Sequence, residues 1–253
     1  MSQSAASGPE VLAAWDEGSH TDAEGTTHVT YRRGSGPGVV VIHEIPGLTP
    51  AVVGFADEVV EAGYTVVLPH LFGRPGAPMS SVSAAASMRE VCVNREFTKL
   101  ATGRTTPIAG WLRSLARELH AELGGPGVGA LGMCFTGGFA LAMMVDDAVA
   151  APVLCQPSVP FPVGRRRSAD LNLSPADLET VRARARAGCE VLGLQFAKDP
   201  ATGTRFETLD RELGPAFLRV DLDGRGHSTV TEQRSPEAVE RVLGFFGDKL
   251  RPA

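Results

Sequence analysis

The chain has 253 residues, of which 43% are hydrophobic, and its formal net charge at pH 7 is −5. This length fits one large α/β domain or two small ones, and the acidic balance argues against general binding to nucleic acids or anionic membranes. Residues 1–10 contain no basic segment followed by an apolar core, and no apolar run is long enough to span a membrane, so we expect a cytoplasmic protein with reduced thiols. The four cysteines show no metal-ligand spacing, and we expect no zinc site and no cofactor.

The first half of the chain alternates predicted strands with predicted helices. Continuous apolar runs, such as the β-branched run at 39–42, are typical of strands buried on both faces. Apolar positions repeated at helical spacing predict helices with one buried face, whereas a polar region rich in serine and alanine extends to about residue 106. The predicted elements are an edge strand at 27–32, buried strands at 39–42 and 64–68, and helices at 52–62 and from 108 to the glycine pair at 124–125.

The second half continues the same alternation. It contains predicted strands at 128–131, 149–155, 190–196 and 217–222 and a final helix at 236–249. A longer excursion, residues 156–188, carries a helix start at Ser174 and Pro175 and is expected to form a cap. Together these elements predict a single α/β domain over residues 27–253, after an N-terminal extension at 1–26. Its parallel sheet would be covered on both faces, with functional loops at the carboxyl ends of the strands.

The segment GMCFTGG at residues 132–138 has the pattern of a nucleophile elbow, a sharp turn from a strand into a helix. Its glycines let the backbone bend without a Cβ clash, which would expose the sulfur of Cys134. The amide of Phe135 would then face a bound carbonyl group from the start of the helix. The competing interpretation is a buried cysteine in a glycine-rich junction, because free cysteine is among the most buried residue types.

A cysteine nucleophile needs a base, and the base needs an orienting acid. His227 is the only histidine after Cys134 in the sequence, and it follows the last predicted strand. Asp199 follows the preceding strand, so acid and histidine come in the order expected of such sheets. Asp221 and Asp223 are rival acids, and turn formation is the competing interpretation of an aspartate before a proline.

A further candidate segment follows the first buried strand. Glu44 places a carboxyl group at that strand end, where it is either a solvated loop carboxylate or a group that holds the thiol neutral until substrate binds. The amide of Ile45 is the expected second oxyanion donor, beside that of Phe135.

Four segments together resemble the dienelactone hydrolase family of α/β-hydrolases. They are HEIPGL at 43–48, GMCFTGG at 132–138, Lys198-Asp199 and Gly226-His227-Ser228. The segment at 62–69 also resembles a core strand of that family, and the similarity extends from about residue 27 to 250. The resemblance implies the α/β-hydrolase fold, with a mostly parallel central sheet and helices on both faces. It also implies a Cys-His-Asp triad at Cys134, His227 and Asp199, with Glu44 gating the thiol.

The sequence departs from the family pattern at two places. Thr136 stands where the elbow usually has glycine, and the arginine that clamps a substrate carboxylate shortly after the histidine is missing before Arg234. Arg89 and Arg95, in the long polar region, are alternative candidates for binding substrate, although both also fit surface positions on a helix.

The sequence therefore predicts a hydrolase of small esters or lactones, acting on a small-molecule substrate as a monomer or homodimer. Two alternatives remain. One is a non-catalytic binding or regulatory protein with the same fold, and the other is a thiol-based redox protein that pairs Cys134 with Cys155.

Overall fold

The computed structural model describes residues 8–97 and 100–251. Its centre is one eight-stranded sheet. The strands are β1 (Asp16–Thr21), β2 (Thr27–Gly34), β3 (Gly38–Ile42), β4 (Thr65–Pro69), β5 (Val128–Met133), β6 (Val149–Cys155), β7 (Val191–Phe196) and β8 (Phe217–Leu222). They lie in the order β1-β2-β4-β3-β5-β6-β7-β8. β1 and β2 pair antiparallel with their neighbours, and β4, β3 and β5 to β8 pair parallel.

Helices cover both faces of this sheet. They are α1 (Pro50–Glu61), α2 (Ser81–Val93), α3 (Ile108–Leu123), α4 (Gly137–Met143), α5 (Gly164–Ser168), α6 (Pro175–Arg186), α7 (Arg205–Leu213) and α8 (Pro236–Leu250). α1 and α8 pack on one face, and α3, α4, α6 and α7 pack on the other. Consecutive residues of β3 alternate between the two apolar clusters, as expected of a strand buried on both sides. The predicted α/β architecture is confirmed. None of the described helices is long and apolar enough to cross a membrane.

The N-terminal part of the sheet differs from the prediction. β1 lies within the predicted N-terminal extension and pairs with β2, so the strand predicted at the edge is the second strand of the sheet. The side chains of β1 are exposed except for His20, and such a strand carries almost no hydrophobic alternation. Its signal is therefore absent from the sequence pattern.

Three helices have no counterpart among the predicted elements: α2, α5 and α7. α2 forms in the polar region because Ser80 and Ser83 make a reciprocal capping box and alanine favours the helix. It buries only Ser87 and Val91, too few positions to give an apolar stripe. α7 packs Phe206, Leu209 and Leu213 into the core, but this nine-residue helix also contains five charged residues, so its apolar stripe is too short to stand out in the sequence.

Candidate active site

At the elbow around Cys134, segments of the backbone approach one another closely. Cys134 has a φ of +52°, in the left-handed region that few residues other than glycine adopt. A Cβ atom on Gly132 would lie 2.1 Å from the carbonyl oxygen of Thr136, and one on Gly137 would lie 2.6 Å from Cα of Pro157. Only glycine fits at both positions, so the chain reverses tightly around Cys134, and its side chain is left half-buried.

Thr136, the departure from the family pattern, supports this turn. Its side chain is fully buried, and its hydroxyl group lies within hydrogen-bond distance of the carbonyl oxygens of Ile42 (3.0 Å) and His43 (3.1 Å). The same oxygen accepts a hydrogen bond from the amide of Met133 at 3.1 Å. Thr136 thus joins the elbow to the end of β3. Because its hydroxyl group is buried, it does not line the exposed part of the site.

His227 is paired with Asp199. Its Nδ1 lies 2.8 Å from Oδ2 of Asp199, whose side chain is only 2% exposed. The carboxylate also accepts hydrogen bonds from the amide of Ala201 and the hydroxyl of Thr202. The rival acids lie elsewhere. Asp221 bonds to Gln195 and Arg219, and Asp223 is exposed.

The charges of this pair are mutually stabilised. Burial opposes a positive charge on His227, but its interactions with Asp199 and Cys134 outweigh burial and raise the pKa of the imidazole to about 10. Burial likewise opposes the charge on Asp199, yet the hydrogen bond from His227 holds the pKa of this carboxyl group below its usual value.

Glu44 lies in a buried pocket beside the sulfur. One ligand atom each from Glu44, Cys134 and His227 lies within 4.8 Å of the other two. The carboxyl group accepts hydrogen bonds from Oγ of Ser228 (2.9 Å) and Oγ1 of Thr231. Burial raises the pKa of Glu44, although both hydroxyl groups act in the opposite direction. Glu44 is therefore held in place and is not the solvated loop carboxylate of the alternative interpretation.

The two amides expected to stabilise an oxyanion follow the ends of β5 and β3. Phe135 is at the start of the turn after Cys134, where helix amides lack a partner in their own helix. The amide of Ile45 has no hydrogen-bond partner among the described residues. Ser158, which the sequence interpretation missed, places its Oγ 3.3 Å from Sγ of Cys134, and its amide donates to the carbonyl oxygen of Cys134.

Arg205 is a second residue that the sequence interpretation missed. Its side chain is buried, with 1% of the residue exposed, and its guanidinium group donates to carbonyl oxygens from three segments. These oxygens belong to Pro157 and Pro160 at the start of the excursion, to Arg167 and Asp170 further along it, and to Ala201 and Thr202 after β7. Arg205 thus joins the loop that carries Ser158 to the loop that carries Asp199.

Arg89 and Arg95 do not join this cluster. Arg89 is an exposed residue of α2, and Arg95 is exposed just after that helix. Among the described residues, neither forms an ion pair. They fit surface charges, and their contact with a substrate stays a prediction.

A comparison with protein families identifies the chain. The model of the dienelactone hydrolase family matches residues 26–170, more than half of the sequence. The chain belongs to the dienelactone hydrolase family. A search of curated proteins finds no match. Asp199 and His227 lie C-terminal to the residues that the family model matches.

Solved structures show the same fold. A dienelactone hydrolase from Anabaena variabilis has 17% identity and a TM-score of 0.63, covering 94% of this chain and 100% of its own. An α/β hydrolase from Penicillium sp. sh18 has 13% identity and a TM-score of 0.65, covering 93% and 99%. A dienelactone hydrolase-like promiscuous phosphotriesterase from metagenomic libraries has 17% identity and a TM-score of 0.60, covering 94% and 98%.

The buried guanidinium group gives a stability prediction for this family member. Arg205→Met should lower the free energy of unfolding by at least about 3 kcal/mol, because several buried carbonyl oxygens lose their donor. Arg211→Met is the matched control on the same helix. Its pair with Glu212 is exposed, so its removal should cost less than about 1 kcal/mol. Urea unfolding measures both variants, and equal losses would contradict the role of Arg205.

A second prediction concerns the pH dependence of the pair. Because the pKa of His227 is raised from 6.5 to about 10, its stabilising contribution is complete below about pH 6.5 and is lost as the pH rises through about 10. In Asp199→Asn the pKa should fall toward its ordinary value, and this loss of stability should move to lower pH. NMR titration of the imidazole and urea unfolding at several pH values measure the two effects. An unchanged pKa in the variant would show that Asp199 does not stabilise the imidazolium.

Proposed function

We propose that this chain is a hydrolase of small carboxylic esters or lactones with Cys134 as its nucleophile. The proposal is carried by the arrangement of Cys134, His227 and Asp199 at the carboxyl ends of β5, β8 and β7. Because Nδ1 of His227 forms a hydrogen bond with Asp199 at 2.8 Å, the tautomer and the orientation of the imidazole ring are fixed. Nε2 is then the nitrogen that receives the thiol proton.

The proposed reaction has two halves. His227 takes the proton of Cys134, the sulfur forms a bond to the carbonyl carbon, and the carbonyl electron pair moves to oxygen. The amides of Phe135 and Ile45 stabilise this oxyanion, with about 3 kcal/mol expected from each donor. The carbon–oxygen bond then breaks, and the leaving alcohol takes the proton from His227. Water, deprotonated by His227, next attacks the thioester and releases the acid and the thiol.

Glu44 is proposed to gate the thiol. Burial raises the pKa of its carboxyl group, which favours the protonated form and so lessens the repulsion between this group and a thiolate. The hydroxyl groups of Ser228 and Thr231 hold the carboxyl group at a fixed place. In this proposal the thiol keeps its proton until substrate binds, after which His227 removes it from the sulfur.

The surface beside the sulfur favours a neutral acyl group. Ile45 and Phe161 are half-buried against the apolar cluster that contains Phe135, and the ring of Phe135 contacts four other phenylalanine rings. We propose that the start of the excursion, residues 156–161, forms one wall of the substrate pocket.

The redox alternative is disfavoured by the position of Cys155. Its thiol is fully buried, and burial raises its pKa to about 12. Cys155 packs in the apolar cluster on one face of the sheet, whereas Cys134 packs against the cluster on the other face. A thiol in that position is a poor resolving group for a disulfide.

The test of the proposal is ester hydrolysis by cysteine variants. Cys134→Ala should abolish turnover of a fluorogenic short-chain ester, because the other cysteines are not on a strand-to-helix turn. Cys92→Ala and Cys189→Ala are the matched controls and should retain activity. Iodoacetamide at neutral pH should label Cys134 first. Turnover that survives in Cys134→Ala would refute the nucleophile, and wild-type protein inactive on esters, lactones and a phosphotriester would favour the non-catalytic alternative.

A second prediction concerns substrate charge. The wild-type enzyme should hydrolyse a neutral methyl ester at least as well as the matched lactone with a free carboxylate, since no clamp arginine follows His227. A charge-assisted pair of this kind contributes about 1.5–3 kcal/mol, so its absence should cost about tenfold or more in kcat/KM for the acid. The measurement is kcat/KM for both substrates. A strong preference for the acid that disappears in Arg89→Ala or Arg95→Ala would contradict the prediction and show that these arginines supply the clamp.

A further inference from the structure

Three donor groups of different chemistry converge at one point of the site. They are the carboxyl group of Glu44, the sulfur of Cys134 and a ring nitrogen of His227, and their ligand atoms all lie within 4.8 Å of one another. In the described part of the chain, no other group of three or more His, Cys, Asp or Glu side chains comes this close together. Sulfur, nitrogen and oxygen donors are the three ligand types that zinc takes from proteins.

The neighbours of these donors orient them as ligands. Nδ1 of His227 is held by Asp199 at 2.8 Å, which leaves Nε2 to bind. The carboxyl group of Glu44 is held by Ser228 and Thr231. Metal-binding histidines usually donate their second ring nitrogen to a carboxylate, and metal-binding carboxylates are themselves hydrogen-bonded. The site therefore has both the ligands and the surrounding groups that fix them.

The three donor atoms must move closer together to bind one zinc ion. A tetrahedral zinc ion with bonds of about 2.0–2.3 Å holds its donors roughly 3.3–3.6 Å apart. Because the three donor atoms all lie within 4.8 Å of one another, they need to approach by at most about 1.2–1.5 Å. Rotation of the half-buried Cys134 side chain moves the sulfur without moving the backbone. The thiolate selects zinc over magnesium and calcium, which prefer oxygen ligands.

We propose that Glu44, Cys134 and His227 together bind one Zn²⁺ ion, which blocks the nucleophile reversibly. The Cys134 thiol and the Nε2–H of the His227 imidazolium each lose a proton to solvent as their bonds to zinc form, Glu44 binds as the carboxylate, and water completes the fourth position. The ligands come from the ends of β3, β5 and β8, so no short ligand spacing exists in the sequence. Zinc binding is independent of the proposed function, whereas inhibition by zinc rests on it.

The binding test uses the purified full chain and Cd²⁺ as a spectroscopic substitute for Zn²⁺. We expect one metal ion per chain and a sulfur-to-metal charge-transfer absorption, which Cys134→Ala should remove. Zn²⁺ affinity, measured by competition with a chromogenic chelator, should fall at least tenfold in Glu44→Gln and about 10–100-fold in Asp199→Asn, which disturbs the orientation of His227. Cys92→Ala is the control for the exposed thiol and should bind as the wild type does.

Several outcomes would overturn this proposal. They are absorption that survives in Cys134→Ala, absorption that is lost in Cys92→Ala, and Zn²⁺ affinity that is unchanged in Glu44→Gln. Measurements of ester hydrolysis distinguish failure of the proposed zinc site from failure of the proposed hydrolase function. Ester turnover with no zinc binding refutes the zinc site alone, and zinc binding with no turnover at any zinc concentration refutes the proposed function alone. With both correct, Zn²⁺ inhibits hydrolysis and a chelator restores it.

Discussion

The tight reversal of the chain at Cys134 is the constraint on which the rest of the site depends. It requires that residues 132 and 137 have no Cβ atom, because those atoms would overlap the carbonyl oxygen of Thr136 and the backbone of Pro157. The backbone energy stored at the φ of +52° of Cys134 is balanced by this packing and by the hydroxyl group of Thr136, which bridges to the end of β3. The position of the sulfur relative to Glu44 and Ser158 follows from these contacts.

The parallel sheet then collects the remaining groups. Since β3, β5, β7 and β8 run in the same direction, their carboxyl ends meet at one edge. Glu44, Cys134, Asp199 and His227 each follow one of these ends, so residues distant in sequence reach one another without long side chains. Arg205 complements the sheet at this edge. It joins the loops after β6 and β7 through backbone carbonyl oxygens, which fixes the Asp199 loop independently of the strands.

The part of this arrangement that could be predicted from the sequence follows from local pattern. Buried parallel strands are continuous apolar runs, and the elbow has a glycine signature, so the core sheet and the positions of Cys134, Asp199 and His227 were open to prediction. β1 and α2 were not, because β1 is nearly all exposed and α2 buries only Ser87 and Val91. Ser158, Thr231 and Arg205 have no local signature either, since their partners are set by how separate loops meet. The only feature of the sequence that could have indicated a buried Arg205 is its position next to Phe206, at the start of a short apolar stripe.

The position of Glu44 connects the chemistry of the sulfur to its surroundings. A buried carboxyl group next to a nucleophile is costly unless it is protonated or paired, and here two hydroxyl groups hold it while burial raises its pKa. In the two proposals made above, the sulfur has three competing partners at the same place: its own proton, the carbonyl carbon of a substrate, and a zinc ion. His227 takes part with each of them, as a base in the first two cases and as a ligand in the third. The same buried carboxyl group would therefore serve both proposals, because burial favours its protonated form beside a thiol and its two hydroxyl partners leave it oriented toward a cation that binds the sulfur.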